Sequence, residues 1–401
     1  MIAAEFRNGV YGIGVNDRTT DLFEGLWPIS QEGVTYNSYL IKDKKNVLID
    51  LTKEFKSDTL IEQVSHIVDL KKLDYVVVNH MEPDHTGALK TLIRMQPNIT
   101  ILCTPKAKPM LQNYYGISAN VQEVADGEDL DLGSRTIRFF HAPFVHWPET
   151  MVTWDPSTNV LFSCDAFGGY GALPGAIFDD ECNDIEFYVR ESLRYYTNIV
   201  AKFSKPVLDA IAKLAPLPIE VIAPSHGLIW RKNPRRIIEL YEKWAHYATG
   251  DHEIGVTLLY GSMYGNTELM MNFVAKGLAS EHIPVNVFDV ARTHTSYILP
   301  SLWVNAGVII GAPTYEGSLY PAMVHKLAEA GIKRIVNKKA AYFGSWGWSG
   351  GAVREVRRLV EPLKWDLVET LEFAGGPSDD DLDNAVQFGA RFARCLKGLP
   401  E

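Results

Sequence analysis

Val76-Val-Val-Asn-His80-Met-Glu82-Pro-Asp84-His85 decides how the first half of the chain is read. The three valines form a continuous β-branched run, so residues 75–80 read as a strand buried on both faces. Four potential metal ligands then fall within six residues: His80, Glu82, Asp84 and His85. They lie on the loop at the strand's carboxyl end, where layered α/β architectures place their sites. The apolar Ala88-Leu89 beyond Gly87 opens a helix expected over 85–95. Taken alone, a polar turn with Asp84 as helix N-cap would account for this segment.

Working outward, three later segments repeat a ligand at the end of an apolar run. They are His141-Ala-Pro-Phe-Val-His146-Trp-Pro-Glu149, Val160-Leu-Phe-Ser-Cys164-Asp165 and Val221-Ile-Ala-Pro-Ser-His226-Gly. The combined set offers four histidines (His80, His85, His146, His226) and three carboxylates (Glu82, Asp84, Asp165). That exceeds one tetrahedral zinc ion and suits two adjacent metals sharing a bridging carboxylate. Mixed imidazole and carboxylate donors with open positions favour iron or manganese. Cys164 adjoins Asp165, and strand alternation is expected to turn it away from the metals.

Other strands of this half are expected at 35–41, 47–50, 99–104, 137–141, 151–155, 160–165 and 221–226. Helical patterns cover 56–69, a long stretch of 185–215, and 234–247. The polar residues 248–253 break the pattern, so the domains are expected at 1–249 and 250–401. Beyond them strands at 256–260, 285–290, 306–311, 340–344 and 367–373 alternate with helices, the last over 380–397. Such alternation makes a doubly wound, five-stranded parallel sheet.

The first strand of this second half runs into Gly261-Ser262-Met263-Tyr264-Gly265-Asn266-Thr267 and a helix. Small and hydroxyl residues at a strand-to-helix turn let backbone N–H groups wrap a phosphate, helped by the helix dipole. No lysine is present, so this is not a Walker A loop, and a terminal monophosphate is the natural ligand. Pro313-Thr314-Tyr315-Glu316-Gly317 and Ser345-Trp346-Gly347-Trp348-Ser349-Gly350-Gly351 end the third and fourth strands. Their glycines and aromatics suit a planar ring at the carboxyl edge of the sheet.

Composition excludes several alternatives. The net charge of −10 argues against a nucleic-acid binder. Cys103, Cys164, Cys182 and Cys395 include no C-x-x-C pair, which excludes a rubredoxin-type or zinc-ribbon site and points to a reducing compartment. The N-terminus lacks signal-peptide character, and no run of about 18 apolar residues suggests a membrane span. A cytoplasmic enzyme is expected.

The H-x-E-x-D-H stretch, HWPET, SCDAFGG and APSHG resemble the metallo-β-lactamase-like domain of flavodiiron proteins (A-type flavoproteins). Hydrolases of that superfamily usually carry H-x-H-x-D-H and zinc, whereas here Glu82 takes the second position. The second half resembles flavodoxin, with Tyr264 where a threonine is usual. The resemblance implies an αββα sandwich followed by a flavodoxin-like domain, with two irons and FMN. His80, Glu82 and His146 would hold the first iron; Asp84 and His226 the second, with His85 left open; Asp165 would bridge. It implies reduction of dioxygen to water, of nitric oxide to nitrous oxide, or both. It further implies a head-to-tail homodimer or dimer of dimers. No rubredoxin segment follows Glu401, so the donor is expected to be external, such as rubredoxin or a reduced deazaflavin. Many family members read F-H-G where this chain reads Phe23-Glu24-Gly25, which makes Glu24 a candidate carboxylate beside the gas site. Two rival readings are a metallo-hydrolase carrying a flavodoxin module, and an electron carrier or redox sensor working through its flavodoxin half.

Overall fold

The computed structural model describes residues 3–250 and 252–399. It divides at Ala245/His246 into two compact units. In the first, a seven-stranded sheet runs in the order Ala4–Arg7, Val10–Asp17, Val34–Ile41, Asn46–Ile49, Leu73–Val77, Thr100–Cys103, Val121–Glu123. Its first four strands pair antiparallel and the rest join in parallel. A five-stranded sheet runs Asp129–Asp131, Thr136–His141, Met151–Asp155, Val160–Cys164, Val221–Pro224.

The two sheets are joined by buried polar contacts. The Asn37 amide and the Tyr39 hydroxyl donate to the Pro224 carbonyl at 2.9 and 2.7 Å, and Thr153 Oγ1 donates to Asn79 Oδ1 at 2.8 Å. Leu60, Leu89, Leu92 and Leu111 seat three helices on the first sheet, against Leu40, Leu48, Val76 and Ile101. On the other side, Lys213 of helix Ser204–Leu214 donates to the His141 carbonyl, and Tyr241 of Pro234–His246 to that of Gly168. The result is the expected αββα sandwich.

Three local expectations need correction. The pattern over 185–215 is not one helix. Ile185–Tyr195 gives way to a π-helical turn at Tyr196–Val200 and a short Ala201–Phe203 turn before Ser204–Leu214 begins. All five residues of the π turn are buried, so no one-sided helix face exists there. Pro206 is tolerated only because a new helix starts two residues earlier. The helix expected over 85–95 is likewise two pieces, Pro83–Thr86 and Leu89–Met95. Strands Ala4–Arg7, Val10–Asp17, Val121–Glu123 and Asp129–Asp131 were not anticipated; most are short, and Val10–Asp17 is interrupted by two glycines.

The second unit is an all-parallel sheet in the order Val285–Asp289, Glu253–Tyr260, Asn305–Gly311, Lys339–Trp346, Asp366–Ala374. This 2-1-3-4-5 order is that of doubly wound flavodoxin-like sheets. Val256, Leu258, Ile309 and Phe343 pack against helices Asn266–Ser280 and Asp379–Lys397 through Met270, Val274, Phe388 and Phe392. Among the described residues, no helix is long and apolar enough to cross a membrane.

Candidate metal centre and flavin site

Four strands of the first unit end at one place. Leu73–Val77 leads to His80, Thr136–His141 into the loop of His146, Val160–Cys164 into Asp165, and Val221–Pro224 to His226. The side chains fall into two groups that share Asp165. In the first, Glu82 Oε2 lies 3.4 Å from His80 Nε2 and 3.1 Å from His146 Nε2, while Asp165 Oδ2 lies 3.4 and 3.5 Å from the same nitrogens. In the second, Asp84 lies 3.4 Å from both His85 Nε2 and His226 Nε2, and Asp165 Oδ1 lies 3.0 and 3.2 Å from them. Each group thus holds two imidazoles, one carboxylate of its own and one oxygen of Asp165.

This arrangement fits a pair of metal ions. Metal–donor bonds of about 2.0–2.2 Å at angles near 90–110° put neighbouring donors about 2.9–3.5 Å apart. Among the described residues, both oxygens of Asp84 and Asp165 and the Nε2 atoms of His85 and His226 are buried without a hydrogen-bond partner. Polar atoms in that condition are costly unless something fills the space between them. Asp84 does not cap the following turn. The N-cap residue is Glu82, which makes no capping bond, and Asp84 sits inside the turn facing the histidines.

The electrostatics carry the same message. Burial disfavours charge on His80, but hydrogen bonds to Glu149 and Glu82 outweigh it and raise its proton affinity well above the ordinary imidazole range. For His226, burial is likewise overcome by Asp165 and Asp84, which push it up to about 10. His85 is raised by Asp84 and Asp165 against the same burial. Burial would raise Glu82 and Asp165, yet the facing imidazoles hold both below the usual carboxylate range. The buried carboxylates facing these imidazoles favour positive charge in the pocket, which metal ions would supply.

Several supporting residues were not singled out from the sequence. Glu149 Oε1 accepts from His80 Nδ1 at 2.8 Å and from the Met81 amide at 2.9 Å. The Thr35 carbonyl lies 2.6 Å from His226 Nδ1. Asp50 accepts from both the amide and the side chain of Asn79, next to His80. Phe23, Tyr36 and Tyr195 stand around the His226 ring at 5.4, 5.8 and 5.5 Å between centroids. The signal for Glu149 was present in His146-Trp-Pro-Glu149; those for Thr35 and Phe23 were not, because their contacts cross about 190 residues of chain or more.

One expectation about neighbours changes. Cys164 adopts φ 53°, which breaks the strand alternation, and its sulfur lies within 4.8 Å of donor atoms of His85 and Asp165. Glu24 is on an exposed turn, with its Oε2 3.2 Å from the Trp27 indole nitrogen, and is in neither ligand group. The residue that reaches the site from that loop is its neighbour Phe23.

In the second unit, three loops meet at the carboxyl edge of the sheet. Helix Asn266–Ser280 starts at Gly265, whose φ of 90° suits glycine, with no side chain capping its first N–H groups. A phosphate is the natural partner for such donors. Ser262 Oγ accepts from the Gly265 amide, shaping the turn. Thr267 Oγ1 lies 3.5 Å from Ser345 Oγ, joining the first loop to the third. Thr314-Tyr315 and Ser318-Leu319 form a tight hairpin about Glu316 and Gly317, both at positive φ. A side chain at Gly351 would come within 2.2 Å of the Gly317 carbonyl, so glycine lets the second and third loops close together. Tyr264 and Trp348 are 86% and 90% exposed, and Met263 and Tyr315 are also open. Pro313, Asn266, Trp346, Gly347, Ser349 and Gly350 belong to the same three loops.

A paired-metal centre in an αββα sandwich, joined to a flavodoxin-type nucleotide site, defines a two-cofactor redox protein. Residues 34–227 match the ODP family beta lactamase and 258–389 match flavodoxin. The anaerobic nitric oxide reductase flavorubredoxin of an Enterobacter species is 34% identical, covering 98% of this chain and 83% of that protein. The rubredoxin oxygen:oxidoreductase of Desulfovibrio gigas superposes with a TM-score of 0.93 at 30% identity over 99% of both chains. The flavodiiron protein of Giardia intestinalis gives 0.92 at 28% identity over 100% of this chain and 99% of its own. The chain belongs to the flavodiiron family. It is an oxidoreductase whose cofactors are FMN and a diiron centre.

Proposed function

We propose that this protein reduces dioxygen to water, nitric oxide to nitrous oxide, or both. His80, Glu82 and His146 would hold one iron and Asp84, His85 and His226 the other, with Asp165 common to both groups. When bound, the irons supply the redox-active face for the gas and FMN supplies electrons singly or in pairs. The single observation that carries this reading is Asp165, which places one oxygen in each of two matched donor groups. Glu82 and His146 are the least enclosed donors, so the gas enters on their side. Phe23, Tyr36 and Tyr195 form an apolar wall around His226 that keeps water from the opposite side.

Residues 262–267, 313–317 and 345–351 would hold FMN, the uncapped N–H groups at the start of helix Asn266–Ser280 suiting its phosphate and the aromatic loops its ring. The domains are proposed at 1–249 and 250–401, four residues past the division of the compact units at Ala245/His246. Electrons come from an external donor, rubredoxin or a reduced deazaflavin, in the cytoplasm. A head-to-tail homodimer, alone or paired into a tetramer, sets each flavin against the partner's diiron site. A fully active monomer in solution would refute that assembly.

The test is anaerobic. Iron and FMN per chain are measured, the protein is reduced chemically, and consumption of both gases is followed with electrodes. Two irons, one FMN and multiple turnover on at least one gas are expected. No turnover on either gas by the fully loaded protein would refute the function.

A further inference from the structure

We propose that Glu149 is a positioning residue for His80 and that it acts selectively on one of the two iron positions. The inference rests on the diiron reading above. The two positions offer matched donor types, two imidazoles, one carboxylate and one Asp165 oxygen each, and the groups behind those donors differ. Behind His80 stands an anion. Its Nδ1 is 2.8 Å from Glu149 Oε1, and both side chains are fully buried. Behind His226 stands a neutral acceptor, the Thr35 carbonyl, and His85 Nδ1 is buried with no hydrogen-bond partner.

Glu149 is itself held rigidly. The Met81 amide donates to the same Oε1 at 2.9 Å, and Thr104 Oγ1 donates to the Glu149 carbonyl at 2.8 Å. Thr150 Oγ1 lies 3.3 Å from His80 Nδ1 and closes the other side of the ring edge. With Nδ1 carrying the hydrogen toward Glu149, Nε2 must present its lone pair toward Glu82 and Asp165. The carboxylate also increases the donor strength of the ring. A cavity of about 210 Å³ lined by Lys106, His141, Glu149 and Thr150 lies beside this pair.

Iron-free protein titrated with ferrous iron against a competing chelator provides the test, with Mössbauer spectra of each loaded form. Wild type, Glu149→Ala and Glu149→Gln are compared. Gln preserves an acceptor for Met81 and guards against loss of the fold, which is checked by thermal melting. Wild type is expected to take up two ions. In the alanine variant one ion should weaken by about 10–100-fold while the other stays within about twofold of wild type. The glutamine variant should weaken the same ion, and one of the two Mössbauer doublets should shift. Formate, small enough for the space that the Glu149 side chain vacates, should return the weakened ion toward its wild-type affinity in Glu149→Ala.

Two ions held as tightly in both variants as in wild type, or two ions weakened alike, would overturn the proposal. So would formate without effect where one ion is weakened, since the loss would then be one of packing. A wild-type protein that binds no pair of ions would instead refute the diiron reading itself.

Discussion

Phe23 offers the sharpest test of how the metal centre is walled. It sits on a two-residue strand, Leu22–Phe23, paired with Trp27–Pro28, and is 1% exposed. Its ring lies edge-on to His226 and Tyr170, both at 5.4 Å, and to Tyr195 at 6.0 Å. Lys53 Nζ stands 5.6 Å from its centroid. The hairpin is pinned independently, since Arg194 donates to the Pro28 carbonyl at 2.9 Å. Phe23→Ala therefore leaves the loop attached and opens a cavity. Truncating a buried phenylalanine costs about 3–5 kcal/mol, of which each edge-on ring contact accounts for about 0.5–1.5 kcal/mol. At about 2–4 °C per kcal/mol for a unit of this size, the unfolding temperature should fall by roughly 6–20 °C. The assay is urea and thermal unfolding of the iron-free protein, so that packing rather than metal is measured. Release of FMN from the second unit serves as an internal control and should not move. A loss below about 1 kcal/mol would refute the view that this ring closes the wall beside His226.

Three further outcomes follow from the same geometry. Asp165→Ala removes the one side chain common to both donor groups, so iron content should fall below one per chain with FMN retained; metal analysis that finds one ion bound as in wild type would contradict the bridging role. Glu24→Gln should leave the rates with both gases and their pH dependence unchanged, because the carboxylate is on an exposed turn beside Trp27; a displaced pH profile in electrode assays would reverse that placement. Gly265→Val forces a β-branched residue to φ 90° at the start of helix Asn266–Ser280, at a cost of roughly 1–2 kcal/mol. Flavin fluorescence should report weaker FMN retention, and unaltered retention would argue against the phosphate lying on this turn.

The strand ends that meet at the metal centre were legible because buried strands are written as continuous apolar runs, and the ligands follow them directly in the chain. Val76 to His80 and Val160 to Asp165 each contain strand and ligand in one short stretch. The sheet of the second unit was legible because each of its five strands is separated from the next by a helical pattern. The edge strand Val121–Glu123 and the hairpin strand Asp129–Asp131 were not, since three residues carry no measurable period. The break in 185–215 was half written. Pro206 marks the restart of a helix, but the π turn before it, whose five residues are all buried, has no one-sided pattern to announce it.

By itself the amino-acid sequence determined which residue types reach the carboxyl ends of which strands, and therefore the chemistry available: imidazoles and carboxylates in one unit, small and aromatic loops in the other. Tertiary structure alone decided the grouping. That Asp165 turns one oxygen to His80 and His146 and the other to His85 and His226 depends on where two sheets meet. The same holds for Phe23 against His226 and for the Thr35 carbonyl behind it. Local sequence sets backbone propensity and side-chain identity over a few residues. Distances of a few ångströms between residues far apart in the chain are set by the packing of sheets and helices, to which the whole sequence contributes at once.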